Sequence, residues 1–409
     1  MRATSWSCSG RRPTVDLFSE AMRRDPYPVY DRIRSTTPVL HDAATDIWML
    51  FDHESVRGAL ARPETFSSDL SASTGRPVPR WMIFLDPPRH TRLRALVASA
   101  FTPRAIASLE PRIREISSEL LVRVIERGEM DLAADYAVPL PLMVIAEMIG
   151  IPPSDWPRFR RWSDAILGLS YTIWSNEETE AAGRGYLEVT EEMGSALALW
   201  IEERRGRAGQ DLLSRLVGAE VDGARLSVEE ILDFVQLLLI AGNETTANLI
   251  DNAVLSFLES GEALARLDAA PELLEPAVEE ALRHRSPVQW VFRGTTCEVE
   301  VRGRRIPAGK LVLLMIGSAN RDPAQFPDPD RFVLPRSPNP HVAFGHGPHA
   351  CLGAALSRLE ARVALGELLA RVKGIELASN EPWKPRRALH VLGPESLRLR
   401  FESAGGADA

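Results

Sequence analysis

The sequence predicts a mainly α-helical protein with a minor β region. Three observations carry this prediction. From about residue 89 to 260, apolar residues recur at helical spacing, as in RLRALVASAF and EISSELLVRVIERG. One apolar run, Ser227 to Ser260, is unusually long for a globular helix. Strand-like segments are short and few, chiefly Ile47 to Phe51, Val299 to Val301 and Lys310 to Met315.

The elements follow in order. Residues 1–65 mix Pro-rich turns with strand-like runs, and residues 1–24 are expected to be poorly ordered. In the long helix, Ser227 followed by Glu230 forms a capping-box start. Apolar residues lie on nearly all sides of its middle, so it should cross the interior. Residues 290–315 turn strand-like around the Gly303–Gly309 turn. A Pro/Asp/Arg-rich stretch, 320–340, leads to a glycine-rich loop and the helical run ALSRLEARVALGELLARV; 402–409 form a tail. No repeat or linker divides the chain, and residues 1–409 are read as a single domain.

Composition narrows the class. The 409 residues are 45% hydrophobic and 25% charged, as in globular proteins. The N-terminus has no apolar core of a signal peptide, and no run approaches the roughly 18 apolar residues of a membrane span. Three cysteines, Cys8, Cys297 and Cys351, are too few for a disulfide framework and suit a reducing cytoplasm. A net charge of −8 argues against nucleic-acid binding. A cytoplasmic protein without a membrane anchor is expected.

The most informative stretch is Phe344-Gly-His-Gly-Pro-His-Ala-Cys351-Leu-Gly353. Glycines permit positive φ and close backbone approach to a flat ligand. A thiolate at the start of a helix is favoured by the dipole and by amide N–H groups. Such a loop suits a sulfur that holds iron. A lone structural cysteine in a Gly-rich turn is the plainer alternative. The stretch resembles the haem-binding signature of the cytochrome P450 family, F-G-x-G-x-H-x-C-x-G. Phe344, Gly345, Gly347, His349, Cys351 and Gly353 meet every defined position.

Three further segments resemble the family's landmarks, in its order. Ala241-Gly-Asn-Glu244-Thr245-Thr246 departs from helix rules: Gly, Asn and paired Thr are poor helix formers, and Glu244 is a charge in an apolar run. Alone, it also reads as a kink with a satisfied buried acid. It resembles the oxygen-binding motif A-G-x-[DE]-T. That resemblance gives Ala241 and Gly242 the role of making room for dioxygen, Glu244 that of the proton-relay acid, and Thr245 that of the hydroxyl at bound oxygen. Glu280 and Arg283 fit E-x-x-R, a pair on one helix face. Pro329-Asp-Arg331-Phe332 resembles the second arginine motif, making Glu280, Arg283 and Arg331 a structural network under the haem loop. Asp86 to Arg94 resembles the helix before the haem. His90 and Arg94, one turn apart, should bind a haem propionate, as should Arg293 and His349.

The resemblance implies a P450 fold with its long central helix crossing over a buried haem. Cys351 would be the axial ligand of the iron of haem b (protoporphyrin IX). The implied activity is a cytochrome P450 monooxygenase that inserts one atom of O2 into a hydrophobic small molecule. A fatty acid, terpenoid, steroid or polyketide fits. The chain has no Rossmann fingerprint and no Cys₄ cluster. The resemblance therefore implies electrons from a ferredoxin or flavodoxin and an NAD(P)H-dependent ferredoxin reductase. Expected pocket residues are Trp81, Met82, Ile83, Leu237, Ile240, Ala241, Val288, Gln289 and Trp290. Ser67 to Phe84 and Ile166 to Trp174, including Tyr171 and Trp174, should form the lid. Arg89, Arg92, Arg104, Arg358 and Arg362 form an expected face for an acidic electron donor, unless they pair with acids such as Glu360. The competing function is a haem-thiolate ligand binder or peroxide user; Glu244 and Thr245 argue against it.

Overall fold

The computed structural model describes residues 19–75, 78–98, 101–168, 176–206, 209, 211–221 and 223–404. Helices dominate. The helix Val228–Ser260 is the axis on which the others pack, and we term it the central helix. Ser227 accepts from the Glu230 amide and Glu230 reaches back to the Ser227 amide, so the capping box forms as the sequence predicts. Gly261, at φ 72°, ends the helix in the left-handed conformation. The second half of the central helix is buried on all sides, with Leu249, Ile250, Ala253 and Phe257 fully enclosed.

Two helices, Trp156–Gly168 and Asn176–Arg204, lie over the first half of the central helix. Glu110–Ile125, Pro139–Ile149 and Ala354–Arg371 pack along its other sides or on one another. The β region forms separate small sheets. Its main sheet runs Val39–Asp42, Ile47–Leu50, Leu311–Leu314, Val291–Thr295 and Phe66–Ser67. Only the pairing of Leu311–Leu314 with Ile47–Leu50 is parallel. A smaller sheet joins Val372–Leu377, Arg398–Ser403 and Glu129–Asp131.

Order begins earlier than the sequence suggests. Glu20–Arg24 is helical, capped by Ser19, because Met22 is buried in the cluster around Tyr27 and Phe51. The last strand runs to Ser403, into the expected tail, because Phe401 packs in the core. One helical stretch, Leu132–Ile149, is long and apolar enough to cross a membrane by length and composition, with a mean hydropathy of 1.6. Most of it is buried inside the protein. The sequence reading missed this run.

Candidate active site

The cysteine loop precedes the helix Ala354–Arg371, whose N-cap is Gly353. The Cys351 amide donates to the Phe344 carbonyl at 2.8 Å, closing the loop on itself. Gly345 and Gly347 take φ of 70° and 71°, which other residues rarely adopt. At Gly347 an added Cβ would lie 2.6 Å from the Leu60 carbonyl oxygen, so the loop rests directly on the helix His53–Leu60.

The Cys351 side chain is exposed, yet the surrounding chain desolvates it and pushes its thiol pKa up. The Gly353 amide and the charges of Arg94 and Arg358 oppose that shift and do not overcome it. Burial outweighs them in the protein alone, and a bound metal cation is what deprotonates such a thiol outright.

Beside the loop stands a basic cluster. The His90 and His349 rings stack with centroids 3.9 Å apart. Arg94 Nη2 donates to the Ala350 carbonyl at 2.6 Å, and His349 Nε2 meets Ser68 Oγ at 3.0 Å. Arg293 is buried, and its side-chain bond is to its neighbour's carbonyl, Phe292, at 2.7 Å. Burial lowers its pKa to about 10. Burial, then the charges of Arg293, His90 and Arg94, lower that of His349 to about 3; burial and then Arg94 lower that of His90. Asp86 is the acid that acts on His90 and Arg293, and it already accepts from Ser67 Oγ and the Ser68 amide. His90 Nδ1 is buried without a partner among the described residues. Two arginines and two imidazoles with an excess of donors are the set that a pair of carboxylates requires. The residues fit a haem: Cys351 would hold its iron, and His90, Arg94, Arg293 and His349 would hold its propionates.

On the central helix, Ala241 is exposed although it lies mid-helix, and an added Cβ on Gly242 would strike Ile145 at 2.7 Å. The segment stays helical. Thr245 Oγ1 donates to the Ala241 carbonyl at 2.7 Å, one turn back. Asn243 Nδ2 donates to Ser163 Oγ at 3.1 Å, tying the turn to the helix above. Glu244 is buried, has no side-chain hydrogen bond among the described residues, and burial raises its pKa to about 7 against the charge of Arg386. Thr246 points elsewhere: it donates to Ser357 Oγ on the cysteine-loop helix at 3.1 Å.

Glu280 and Arg283 pair at 2.7 Å, fully buried. Arg331 does not complete their network. Its side chain is exposed and only its backbone carbonyl accepts from Arg283. Arg336 takes the place, donating to both Glu280 oxygens at 3.0 and 3.1 Å. The chain turns between the two arginines, so the one that returns to Glu280 comes five residues later.

The expected pocket divides. Trp81, Met82 and Leu237 are buried in the cluster under the two upper helices, and Ile240 packs against it. Trp81 Nε1 donates to Gln236 Oε1 at 3.1 Å, which also accepts from Tyr186. Ile83 is exposed at 41%. Val288 pairs with Val391. Gln289 is not wall: its Nε2 donates to the Ser286 carbonyl at 2.7 Å and its Oε1 occupies the space that a Cβ on Gly317 would need. Trp290 belongs to the core around Tyr27 and Phe51. Tyr171 and Trp174 lie outside the described residues.

The arginine face is partly neutralised. Arg358 pairs with both Glu279 oxygens at 2.6 and 2.9 Å, and Arg362 with Glu110 at 2.8 Å. Arg89 and Arg104 remain exposed. Glu360 is not their partner; it is buried, and burial raises its pKa to about 8. Gln236, Asn248 and Asp251 went unnoticed in the sequence, and Glu360 was expected only as a surface partner for the arginines. Their signal was present, as polar residues at enclosed positions of apolar helices.

A helical fold that sets a cysteine loop, a basic cluster and an acid–hydroxyl turn together is that of a haem-dependent oxygenase. Residues 184–399 match the Cytochrome P450 family profile. Cytochrome P450 monooxygenase PikC of Streptomyces venezuelae is 39% identical over 419 residues, covering 98% of each chain. The structure of CYP109Q5 from Chondromyces apiculatus superposes with a TM-score of 0.87 at 37% identity, covering 96% of this chain and 99% of that one. CYP109E1 from Bacillus megaterium in complex with testosterone gives 0.84 at 38% identity, covering 92% and 99%. The chain belongs to the cytochrome P450 family. It is an oxidoreductase of the monooxygenase class, and its family cofactor is haem.

Proposed function

We propose that this enzyme inserts one oxygen atom of O2 into a hydrophobic small molecule held under the central helix. Haem b, bound through Cys351, supplies the dioxygen binding and the oxidising chemistry. His90, Arg94, Arg293 and His349 neutralise and orient its propionates. Glu280, Arg283 and Arg336 hold the segment leading to the cysteine loop rigid. Ala241 and Gly242 keep the facing helix turn small. Glu244 holds a proton in a desolvated setting and releases it toward Thr245 Oγ1, whose hydroxyl is poised on the Ala241 carbonyl.

The observation that carries this reading is the buried, unpaired Glu244 directly before Thr245. A ligand carrier has no use for an acid kept near neutrality beside a hydroxyl. The apolar cluster with Trp81, Met82, Leu237 and Ile240 favours a fatty acid, terpenoid, steroid or polyketide. The testosterone complex of the related CYP109E1 supports a steroid-sized ligand. Electrons come from a ferredoxin or flavodoxin and an NAD(P)H-dependent reductase in the cytoplasm, docking near Arg89, Arg92 and Arg104. The test is to screen lipophilic compounds for substrate-induced spin shifts, then run the best binder with partners under ¹⁸O2. One labelled oxygen in the product is the expected result. Binding without label incorporation would leave only a ligand-binding protein.

A further inference from the structure

Glu244, Asn248 and Asp251 follow one another along one face of the central helix at four- and three-residue spacing. All three are buried, Asn248 and Asp251 completely. Arg386 lies across this row. Its Nε donates to Asn248 Oδ1 at 2.6 Å, its Nη2 meets Asp251 Oδ2 at 3.2 Å, and its charge acts on Glu244. Arg386 comes from a C-terminal hairpin, where its amide donates to the Gly393 carbonyl at 2.9 Å. The hairpin approaches this closely because position 393 has no side chain: a Cβ there would lie 2.1 Å from Asn248 Oδ1.

Two polar atoms in the row have no partner among the described residues, Asp251 Oδ1 and Asn248 Nδ2. Buried polar groups are nearly always bonded to protein or to ordered water. A buried water typically joins about three such groups. We propose that this helix face holds a short file of ordered water, and that Asp251 is the positioning acid that reloads Glu244 through it. The proposal rests on Glu244 as the proton donor. In the step, the Asp251 carboxyl releases its proton into the file. The file passes one proton to the Glu244 carboxylate, and Asp251 regains one from solvent water. Arg386 fixes one Asp251 oxygen and leaves Oδ1 for water. Burial raises the pKa of both acids to about 7, so each can hold or yield a proton near neutrality.

The competing role for Asp251 is a buried ion pair that merely pins the hairpin. Two measurements on the holoenzyme separate them. A high-resolution crystal structure should show water bonded to Asp251 Oδ1 and Asn248 Nδ2. The solvent isotope effect on NADPH oxidation is read with a ferredoxin and its reductase and no organic substrate. Asp251→Asn should enlarge it roughly twofold or more, as Glu244→Gln does, and the double variant should add nothing. Asn248→Leu, which removes a file contact without removing a charge, should enlarge it too, and serves if Asp251→Asn does not fold. Haem content should stay unchanged in every variant. If Glu244→Gln enlarges the effect while Asp251→Asn and Asn248→Leu do not, the file is refuted and Glu244 stands. An effect carried by Glu360→Gln instead places the path on the Thr246 side and refutes the file as well. If Glu244→Gln is silent, both the file and the reading beneath it fall.

Discussion

Thr246 Oγ1 donates to Ser357 Oγ at 3.1 Å, joining the central helix to the helix that follows the cysteine. Thr245, the preceding residue, instead returns its hydroxyl to the Ala241 carbonyl. Successive helical residues point about 100° apart, so two adjacent threonines serve different partners. Thr245→Ala should still bind haem, substrate and dioxygen and still consume NAD(P)H. Its electrons should leave as hydrogen peroxide in place of oxygenated product. Thr246→Ala should stay nearly coupled. Product and peroxide per NAD(P)H decide the matter, and full coupling in Thr245→Ala would remove that hydroxyl from the relay.

Cys351 should be the axial ligand. Replacing it by Ser or His should abolish the red-shifted Soret band of the reduced carbon monoxide complex, while Cys297→Ser should keep it. Retention of that band in Cys351→Ser would overturn the assignment.

Arg336 should matter where Arg331 does not. Arg336→Ala takes two hydrogen bonds from the buried Glu280 carboxylate, which keeps its pair with Arg283, a loss worth about 1.5–3 kcal/mol. Thermal unfolding and haem retention should both suffer. Arg331→Ala, at an exposed side chain, should change stability by less than about 0.5 kcal/mol. Equal losses in the two variants would contradict the geometry.

Stability should fall as pH rises through neutrality. Burial raises the Glu360 pKa from 4.5 to about 8, so across that range the native state keeps a proton that the unfolded chain releases. Ionisation therefore opposes folding progressively as pH climbs. Glu279, held down at about 2 by His341 and Arg358 despite its burial, acts in the opposite sense and only at lower pH. Glu360→Gln should flatten the decline of the unfolding midpoint between about pH 5 and pH 8. An unchanged slope would show that Glu360 titrates normally.

Reversing the exposed Arg89 and Arg104 to Glu should slow reduction by ferredoxin and flatten its salt dependence, with substrate affinity unchanged. The pairing of Arg362 with Glu110 makes Arg362 the weaker choice for this test. Reduction rates that ignore both reversals would exclude this face.

Much of this architecture was legible in the chain because it is local. The capping box at Ser227, the long apolar helix and the glycines around Cys351 are set by neighbours within a few residues. What stayed hidden depends on distant partners. Arg331 and Arg336 sit in the same arginine-rich stretch, and only the path of the folded chain decides which one meets Glu280. Gln289 and Trp290 carry no mark of the face they take. Arg386 is ordinary in sequence; its meaning comes from a hairpin that glycine lets press against Asn248.

The contact between Gly347 and the Leu60 carbonyl has a consequence in time. The loop bearing Cys351 is seated on a helix made near the start of synthesis, and the loop itself is made near the end. Contacts between such distant parts of a chain form late, because their closure entropy must be met first. Cofactor capture must therefore wait for a nearly complete chain. Until then, the ribosome carries a helical scaffold without its sulfur.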